Sequence, residues 1–210
     1  MFPEGDSMEE LRKQVLTYNR TLKNELKESI RTYQTNYPLE RDPEIVLEFI
    51  EGTDNLFGRD SRSGHLTCSA WILNSGLSAV ALVKHIRLGR WIQPGGHIEA
   101  FETPLEGAQR EGAEETGILN LIPWSGDLFH ISVHDFPEGK DGPRHYHYDL
   151  RYLFIAPENA ELVGTLETDG VSWVGIDQLE EYTDEMTISD MADKTKELIR
   201  QGLLISERMK

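Results

Sequence analysis

Residues Gly96 to Ile118 read GHIEAFETPLEGAQREGAEETGI, and this stretch decides the fold. Thr103 followed by Pro104 predicts the start of a helix, with Thr103 as N-cap and Glu106 completing a capping box. Gly117 stands where a helix ends on a residue in the left-handed conformation. The stretch therefore predicts a short, well-capped helix behind a loop that begins with the glycine pair Gly95-Gly96.

Three glutamates of this predicted helix lie on one face. Glu111, Glu114 and Glu115 are spaced i, i+3, i+4, and like charges at that spacing repel one another. The last two also fall in the final turn, where the helix dipole disfavours anions by roughly 0.3–1 kcal/mol each. A divalent cation among the three would offset this, and hard carboxylate oxygens suit Mg²⁺ or Mn²⁺. The alternative is an acidic helix that simply faces water.

The full spacing is longer and more specific than the glutamates alone. Five residues separate Gly96 from Glu102, and seven more lead to Arg110-Glu111, then Glu114-Glu115, Gly117 and Ile118. This pattern resembles the Nudix box, G-x5-E-x7-R-E-U-x-E-E-x-G-U, where U is a bulky aliphatic residue. Every charged and glycine position matches. Gly112 departs from it, since it stands where an aliphatic residue belongs.

Gly112 bears on how the helix packs. It shares the predicted inner face with Leu105 and Ala108, and small residues there would let the helix lie close to a sheet. A glycine inside a helix nevertheless costs up to about 1 kcal/mol. We therefore expect close helix–sheet packing at this position.

The resemblance implies a fold and a set of residue roles. The fold is α/β, a Nudix-type α/β/α sandwich with a mixed sheet, here preceded by N-terminal helices. The cofactor is Mg²⁺ or Mn²⁺, and the substrate is a small nucleotide-type molecule. The implied metal ligands are Gly96, through its carbonyl, and Glu111, Glu114 and Glu115, which are also the catalytic candidates. Glu102, Arg110 and Gly117 are implied to be structural, with an ion pair between Glu102 and Arg110 that orients Glu111 and Glu114.

Composition limits the classes of function. The chain has 210 residues, 38% of them hydrophobic, which suits one domain with a core and peripheral helices. A net charge of -16 argues against broad binding to nucleic acid or to anionic membranes. Cys68 is the single cysteine, so no disulfide forms within the chain. We find neither a signal peptide nor an apolar run of about 18 residues, and we expect a cytoplasmic protein.

The chain is predicted to have two parts. Residues 1–63 form a helical extension and linker, and residues 64–210 form the Nudix domain with a C-terminal helix. In the first part, residues 8–33 carry an apolar helical stripe that packs on the core domain or forms a homodimer contact. A second helix, capped by Asp42, runs to about Gly52, and a linker covers residues 53–64. Further elements are predicted as strands at 66–73, 79–85, 119–124, 129–135, 146–156 and 170–175, and as helices at 177–182 and 189–203, the last capped by Ser189 with Met191, Leu198 and Ile199 inward.

A basic cluster precedes the glycine pair. It consists of Lys84, His85, Arg87 and Arg90. One interpretation is a substrate-binding phosphate clamp beside the metal site. The other is a set of solvated loop charges.

Two predicted strands carry alternating polar residues. In the first, His130, Ser132 and His134 share a face. In the second, His145, His147, Asp149 and Arg151 do so, and the segment FPEGKDGPR between the strands suits a hairpin loop. Three interpretations remain open for this face: a substrate-binding wall, a solvated sheet surface, or a metal site built on the H-x-H spacing. Asp149, or Glu138 in the loop, is a candidate for an additional carboxylate near the box.

The leading functional hypothesis is a metal-dependent hydrolase that cleaves a diphosphate linkage in a nucleoside diphosphate linked to another moiety. The alternative is a catalytically silent Nudix-like module that binds nucleotides or regulates. Modules of that kind usually lose box carboxylates, and here all of them are present. Nucleoside triphosphates, nucleotide sugars, dinucleoside polyphosphates and ADP-ribose all remain candidate substrates.

Overall fold

A computed structural model describes residues 8–58, 64–136, 138, 143–165 and 168–205. Much of the predicted linker and most of the hairpin loop FPEGKDGPR lie outside these ranges. The chain divides into two compact units, Met1–Asp54 and Asn55–Lys210.

The first unit holds two helices. Helix α1 spans Met8–Asn36 and α2 spans Asp42–Gly52. Of the stripe predicted for α1, Leu22, Leu26, Ile30 and Tyr33 are buried, and Tyr18 is partly buried. The predicted cap of α2 is wrong, because Asp42 lies inside the helix and Arg41 occupies the N-cap position without a capping hydrogen bond.

The second unit is built on one mixed sheet. Its central pair is β1 and β7, which run parallel with His65 opposite His147 and Leu73 opposite Ile155. The other strand pairings are antiparallel: β1 with β2 and β4, β2 with β3 and β8, and β7 with β5 and β6. The strands are β1 His65–Leu73, β2 Ala79–His85, β3 Trp91–Ile92, β4 Gly95–His97, β5 Ile122–Pro123, β6 His130–Phe136, β7 His145–Ile155 and β8 Thr168–Gly175.

Helices cover both faces of the sheet, as the α/β/α prediction requires. Helix α3, Pro104–Thr116, packs on the face that carries Cys68, Ala70 and Ile72 of β1. Helix α4, Met186–Arg200, packs on the other face, where the indole nitrogen of Trp71 donates to Thr195 Oγ1 at 2.9 Å. Adjacent strand residues point to opposite faces, so one strand serves both helices. The core on the α4 side contains Trp71, Leu73, Val80, Leu82, Leu153, Val174, Ile188 and Met191.

Four details differ from the predicted elements. The strand predicted at 119–124 is reduced to β5, and Leu119 is 82% exposed. Helix α4 begins at Met186, so Ser189 lies within its first turn instead of capping it. Ile199 was predicted to face inward, but it lies in the last turn and is exposed. The segment predicted as a helix at 177–182 is a 3₁₀ turn over Ile176–Glu181.

Candidate active site

Helix α3 begins and ends as its sequence predicts. Thr103 Oγ1 accepts from the Glu106 backbone N–H at 3.3 Å, and the Glu106 carboxylate accepts from the Thr103 backbone N–H at 2.8 Å. At the other end Gly117 has φ 77° and donates to the Ala113 carbonyl at 2.9 Å. These local bonds fix the two ends of the helix, and with them the positions of the glutamates between.

The three box glutamates differ in exposure. Glu115 is only 8% exposed, and its carboxylate accepts from the Gly95 backbone N–H at 3.0 Å. Glu111 faces Gly96 so closely that a Cβ added there would lie 2.6 Å from the Glu111 carboxyl group. The Glu114 side chain is 51% exposed. Two carboxylates are thus held against the glycine pair, and the third lies toward solvent.

Arg110 is the centre of the charge network on this helix. Its guanidinium binds Glu102 through Nε at 2.8 Å and Nη2 at 3.1 Å, and Nη1 donates to Glu111 and Glu114, each at 2.9 Å. Nη2 also donates to the His97 carbonyl at 2.9 Å. The hydrogen bond from Arg110 lowers the pKa of Glu102, and the bond to Glu102 raises the pKa of Arg110. The predicted ion pair is present, and it ties the loop before α3 to the helix.

The Arg110 network offsets part of the repulsion that the sequence predicts between the box carboxylates. Repulsion between Glu111 and Glu114 is offset within the chain, because one guanidinium nitrogen binds both. The charge on Glu115 is stabilised by the Gly95 backbone N–H. The repulsion alone therefore does not require a cation, although the position of the carboxylates at the glycine pair still suits one.

The helix lies close to the sheet at Gly112. A Cβ there would lie 2.9 Å from Leu121 Cδ1, 3.1 Å from Ala70 Cβ and 3.2 Å from Ile72 Cδ1. The close packing predicted from this departure is confirmed. The inner face differs in one respect, since Leu105 is only half-buried and Gly107 is buried against Cys68 instead.

The donor set fits a hard divalent cation. Glu111, Glu114 and Glu115 supply carboxylate oxygens, and the absence of a side chain at Gly96 leaves the space that Glu111 occupies. Mg²⁺ and Mn²⁺ prefer oxygen ligands of this kind. The observation that supports the fit is the steric one at Gly96, because any side chain there would displace the Glu111 carboxylate.

The predicted polar wall exists, and its deeper part is buried. Strands β6 and β7 pair antiparallel with His134 opposite His147, Ser132 opposite Asp149 and His130 opposite Arg151. Asp149 is 4% exposed and Arg151 is 1% exposed. A solvated sheet surface is therefore the wrong interpretation for these two residues.

Asp149 and Arg151 form a buried ion pair with added hydrogen bonds. Arg151 Nε donates to Asp149 at 2.7 Å, and Ser69 Oγ lies 2.9 Å from both carboxylate oxygens. Thr67 Oγ1 donates to the same carboxylate at 3.2 Å. Burial alone would raise the pKa of Asp149, but Arg151, His134 and Ser69 outweigh it and hold that pKa below the ordinary value. A carboxylate held in this way is a poor proton acceptor.

The comparisons with known proteins agree with the box. The NUDIX domain family matches residues 64–195. The chain belongs to the Nudix family. It is therefore a Nudix-type pyrophosphohydrolase, an enzyme that acts on a phosphorus-containing anhydride.

Individual relatives share part of the chain. It is 30% identical over 121 residues to the "Probable DHNTP pyrophosphohydrolase" of Lactococcus lactis subsp. cremoris, a match that covers 56% of this chain and 70% of that protein. Among solved structures, the C. elegans Ap4A hydrolase binary complex has a TM-score of 0.51 at 17% identity, over 65% of this chain and 98% of that one. A Clostridium perfringens NUDIX family hydrolase has a TM-score of 0.50 at 23% identity, over 66% and 99%. The two structures support the fold alone.

Lys84 and Arg90 of the predicted basic cluster form ion pairs with acidic residues outside the box. Lys84 binds Asp169 of β8 at 2.9 Å, and Arg90 binds Glu185 just before α4. His85 Nδ1 accepts from the backbone N–H groups of Arg87 and Leu88, so it closes the turn after β2. The contacts of Lys84 and Arg90 are thus with β8 and the start of α4, and a phosphate would have to compete with Asp169 and Glu185 for these cations.

Two polar side chains of β1 were missed by the sequence argument. Thr67 and Ser69 bind Asp149, and both belong to a strand that is otherwise mostly apolar. The alternation His65, Thr67, Ser69 was the available signal. Glu138, the other proposed carboxylate, lies on an exposed bend of the hairpin. Within the described residues, no helix is long and apolar enough to cross a membrane.

Proposed function

We propose that this Nudix enzyme is a divalent-cation-dependent hydrolase that cleaves a diphosphate linkage in a nucleoside diphosphate linked to another moiety. The observation that carries the proposal is the placement of Glu111 and Glu115 against Gly95-Gly96, one packed on Gly96 and the other bonded to the Gly95 N–H. The ligands proposed for Mg²⁺ or Mn²⁺ are these two carboxylates, Glu114 and the Gly96 carbonyl.

The bound cation would lower the pKa of an attacking water and neutralise negative charge on the phosphoryl oxygens. The chain's own groups do the rest. One of the three box carboxylates takes the proton as the water oxygen attacks phosphorus, and the bridging anhydride oxygen leaves with its electron pair. We do not assign that role to Asp149, because it is buried and already accepts hydrogen bonds from Arg151 and Ser69.

Arg110 and Glu102 act as positioning residues in this proposal. Arg110 Nη1 donates a hydrogen bond to both Glu111 and Glu114, and Nε on the other edge of the guanidinium donates to Glu102. Arg110 also donates to the His97 carbonyl, which ties helix α3 to strand β4. Preorganised charges of this kind lower the reorganisation required during reaction.

The wall residues are assigned different roles by their burial. Asp149 and Arg151 lie too deep for direct contact with a solvated substrate, so we assign them to holding β1, β6 and β7 in place.

Lys84, Arg87 and Arg90 remain candidates for contact with substrate phosphates. We expect replacement of one of these basic side chains to weaken substrate binding, because the positive charge is lost while the box is unchanged.

A hydrolysis panel tests the proposal. It contains nucleoside triphosphates, nucleotide sugars, ADP-ribose, a dinucleoside polyphosphate such as Ap4A, and DHNTP, the last two because similar proteins bear those names. We expect at least one compound to be cleaved with Mg²⁺ or Mn²⁺ and none after chelation. Cleavage that persists in chelator contradicts the cation dependence, and failure to cleave any compound contradicts the proposed class of substrate.

A further inference from the structure

A group of histidines lies at the start of the two parallel strands. His65 begins β1, and His145 and His147 lie at the start of β7. One ring nitrogen of each lies within 4.8 Å of the other two. The strand register explains the grouping, because His65 is opposite His147 and residues two apart on a strand share a face.

The ring of His145 is fixed in one tautomer. Its Nδ1 lies 2.8 Å from the Pro143 carbonyl oxygen, which can only accept a hydrogen bond. Nδ1 must therefore carry the hydrogen, and in a neutral ring the Nε2 lone pair then accepts a hydrogen bond from His147 Nε2–H. Metal-binding histidines commonly donate their other ring N–H to a backbone carbonyl in this manner.

The spacing of the rings suits a shared ion. Nε2 of His145 lies 3.1 Å from Nε2 of His147. Two nitrogens that each lie about 2.0–2.1 Å from a tetrahedral Zn²⁺ are separated by about 3.3–3.4 Å. This separation is within a few tenths of an ångström of the one an ion requires, and on binding the hydrogen that His147 Nε2 donates would move to Nδ1 of the same ring.

We propose that His65, His145 and His147 form a second metal site, which takes one Zn²⁺ or chemically similar transition-metal ion through three imidazole nitrogens. This site is separate from the oxygen-donor site of the box. The histidines lie on the polar face of β1 and β7, whereas Glu111 packs on the α3 side against Gly96. Imidazole suits Zn²⁺, Co²⁺, Ni²⁺ and Cu²⁺, while carboxylate and carbonyl oxygens suit Mg²⁺ and Mn²⁺.

A fourth imidazole lies beside the three proposed ligands. His97 stacks on His65 with ring centroids 5.1 Å apart. The nearest buried carboxylate, Asp149, already binds Arg151, Ser69 and Thr67. The group is therefore composed of imidazoles, and neutral imidazole is the form that binds metal.

An ion at this position would join strands β1 and β7 through coordinate bonds near their starts. Because these strands form the central parallel pair of the sheet, binding would stabilise the folded state by RT ln(1 + [L]/Kd). Three protein ligands would also leave a fourth position for another ligand.

Cobalt substitution tests the site directly. The full chain without an affinity tag is stripped of metal, and Co²⁺ is added in the presence of excess Mg²⁺ while visible absorption is recorded. We expect one Co²⁺ per chain, with the intense bands of a four- or five-coordinate nitrogen-rich site. His145→Ala and His147→Ala should each weaken Co²⁺ binding by roughly tenfold or more, because removal of a ligand costs more metal affinity than removal of the hydrogen bond that orients it.

Two control variants separate the explanations. His85→Ala removes a histidine outside the cluster, and Glu115→Gln removes a box carboxylate, so both should keep the cobalt spectrum. Absence of that spectrum in the wild-type chain, equal affinity in His145→Ala, or loss in Glu115→Gln would overturn the proposal. Circular dichroism reports whether each variant folds, and His145→Ala keeps the test decisive if His147→Ala does not fold. None of these readouts depends on hydrolysis, so failure of the proposed activity is distinguishable.

Discussion

Two groups of ionisable side chains lie on opposite sides of strands β1 and β4, and they are stabilised in opposite ways. On the α3 side, Glu111 and Glu114 share the guanidinium of Arg110, and the Glu114 side chain is half exposed. On the other side, Asp149 is buried with Arg151 and two hydroxyl groups. The glycine pair separates the two: Gly96 makes room for Glu111, and Gly95 lies against Ser69.

The difference indicates what each side can do. Charges near solvent can exchange a partner for a cation or a substrate at little cost, because water screens them while they rearrange. Charges in the buried pair cannot, since removal of either partner leaves the other uncompensated in a low-dielectric interior. We therefore assign chemistry to the box and rigidity to the Asp149–Arg151 pair.

The largest effect is expected at Glu115. Glu115→Gln keeps the size of the side chain and its ability to accept from Gly95 N–H, but it removes the charge that would hold the cation. Turnover of the best panel substrate should fall about 10³-fold or more, which corresponds to about 4 kcal/mol of transition-state stabilisation. The control is Glu106→Gln on the same helix, which keeps a capping box. Near-wild-type turnover by a folded Glu115→Gln protein would defeat the mechanism.

The buried pair should affect stability more than any exposed pair. Asp149→Ala leaves the Arg151 guanidinium buried without its carboxylate, and we expect a loss of roughly 3–5 kcal/mol in the free energy of unfolding. Denaturant unfolding measures it. Asp135→Ala, which breaks the exposed pair with Arg144, is the matched control and should change stability little. Similar losses in the two variants would remove the contrast between the two sides.

Packing of α3 gives the next effect. Gly112→Leu restores the family pattern, yet its Cβ alone would lie 2.9 Å from Leu121 Cδ1, so we expect destabilisation of roughly 1–3 kcal/mol. Gly52→Ala, at the end of α2 where an added Cβ meets nothing within 4 Å, serves as control and should not destabilise. Thermal unfolding compares the two, and a more stable Gly112→Leu protein would show that the helix can move away from the sheet.

The smallest predicted effect, counted per pH unit, is a pH dependence of stability that arises from His130 in the wall. Burial, then the charges of Arg151 and Lys194, lower the pKa of His130 to about 2. An unfolded histidine has a pKa of about 6.5, so between these values the unfolded state binds more protons and stability falls as pH falls. The loss below pH 6.5 should approach roughly 1 kcal/mol per pH unit for this residue. His130→Phe should reduce the slope, and an unchanged slope would show that His130 does not contribute to it.

Much of the box could be predicted because its determinants are local. The capping box and the left-handed Gly117 follow from residue types at fixed spacing, and both are present. The resemblance to the Nudix box implied the Glu102–Arg110 pair and its effect on Glu111 and Glu114, and in the structure Arg110 Nη1 donates to both of these glutamates.

The wall was harder because it depends on distant pairing. Alternation placed His145, His147, Asp149 and Arg151 on one face, and their antiparallel partners in β6 followed from the hairpin. The parallel pairing of β7 with β1 brings together residues about 80 positions apart, such as the hydrogen-bonded Ser69 and Asp149. No local sequence pattern predicts this pairing. For the same reason the sequence alone did not predict that His65 lies opposite His147.

Direct measurement of Mn²⁺ binding tests the central assignment, that the α3 carboxylates hold the catalytic cation. Free Mn²⁺ can be followed by electron paramagnetic resonance during titration of the wild-type chain, Glu115→Gln and His145→Ala. We predict that wild type binds Mn²⁺ in competition with Mg²⁺, that Glu115→Gln binds it at least about tenfold more weakly, and that His145→Ala matches wild type. Equal Mn²⁺ affinity in wild type and Glu115→Gln, or loss of binding in His145→Ala, would contradict the assignment.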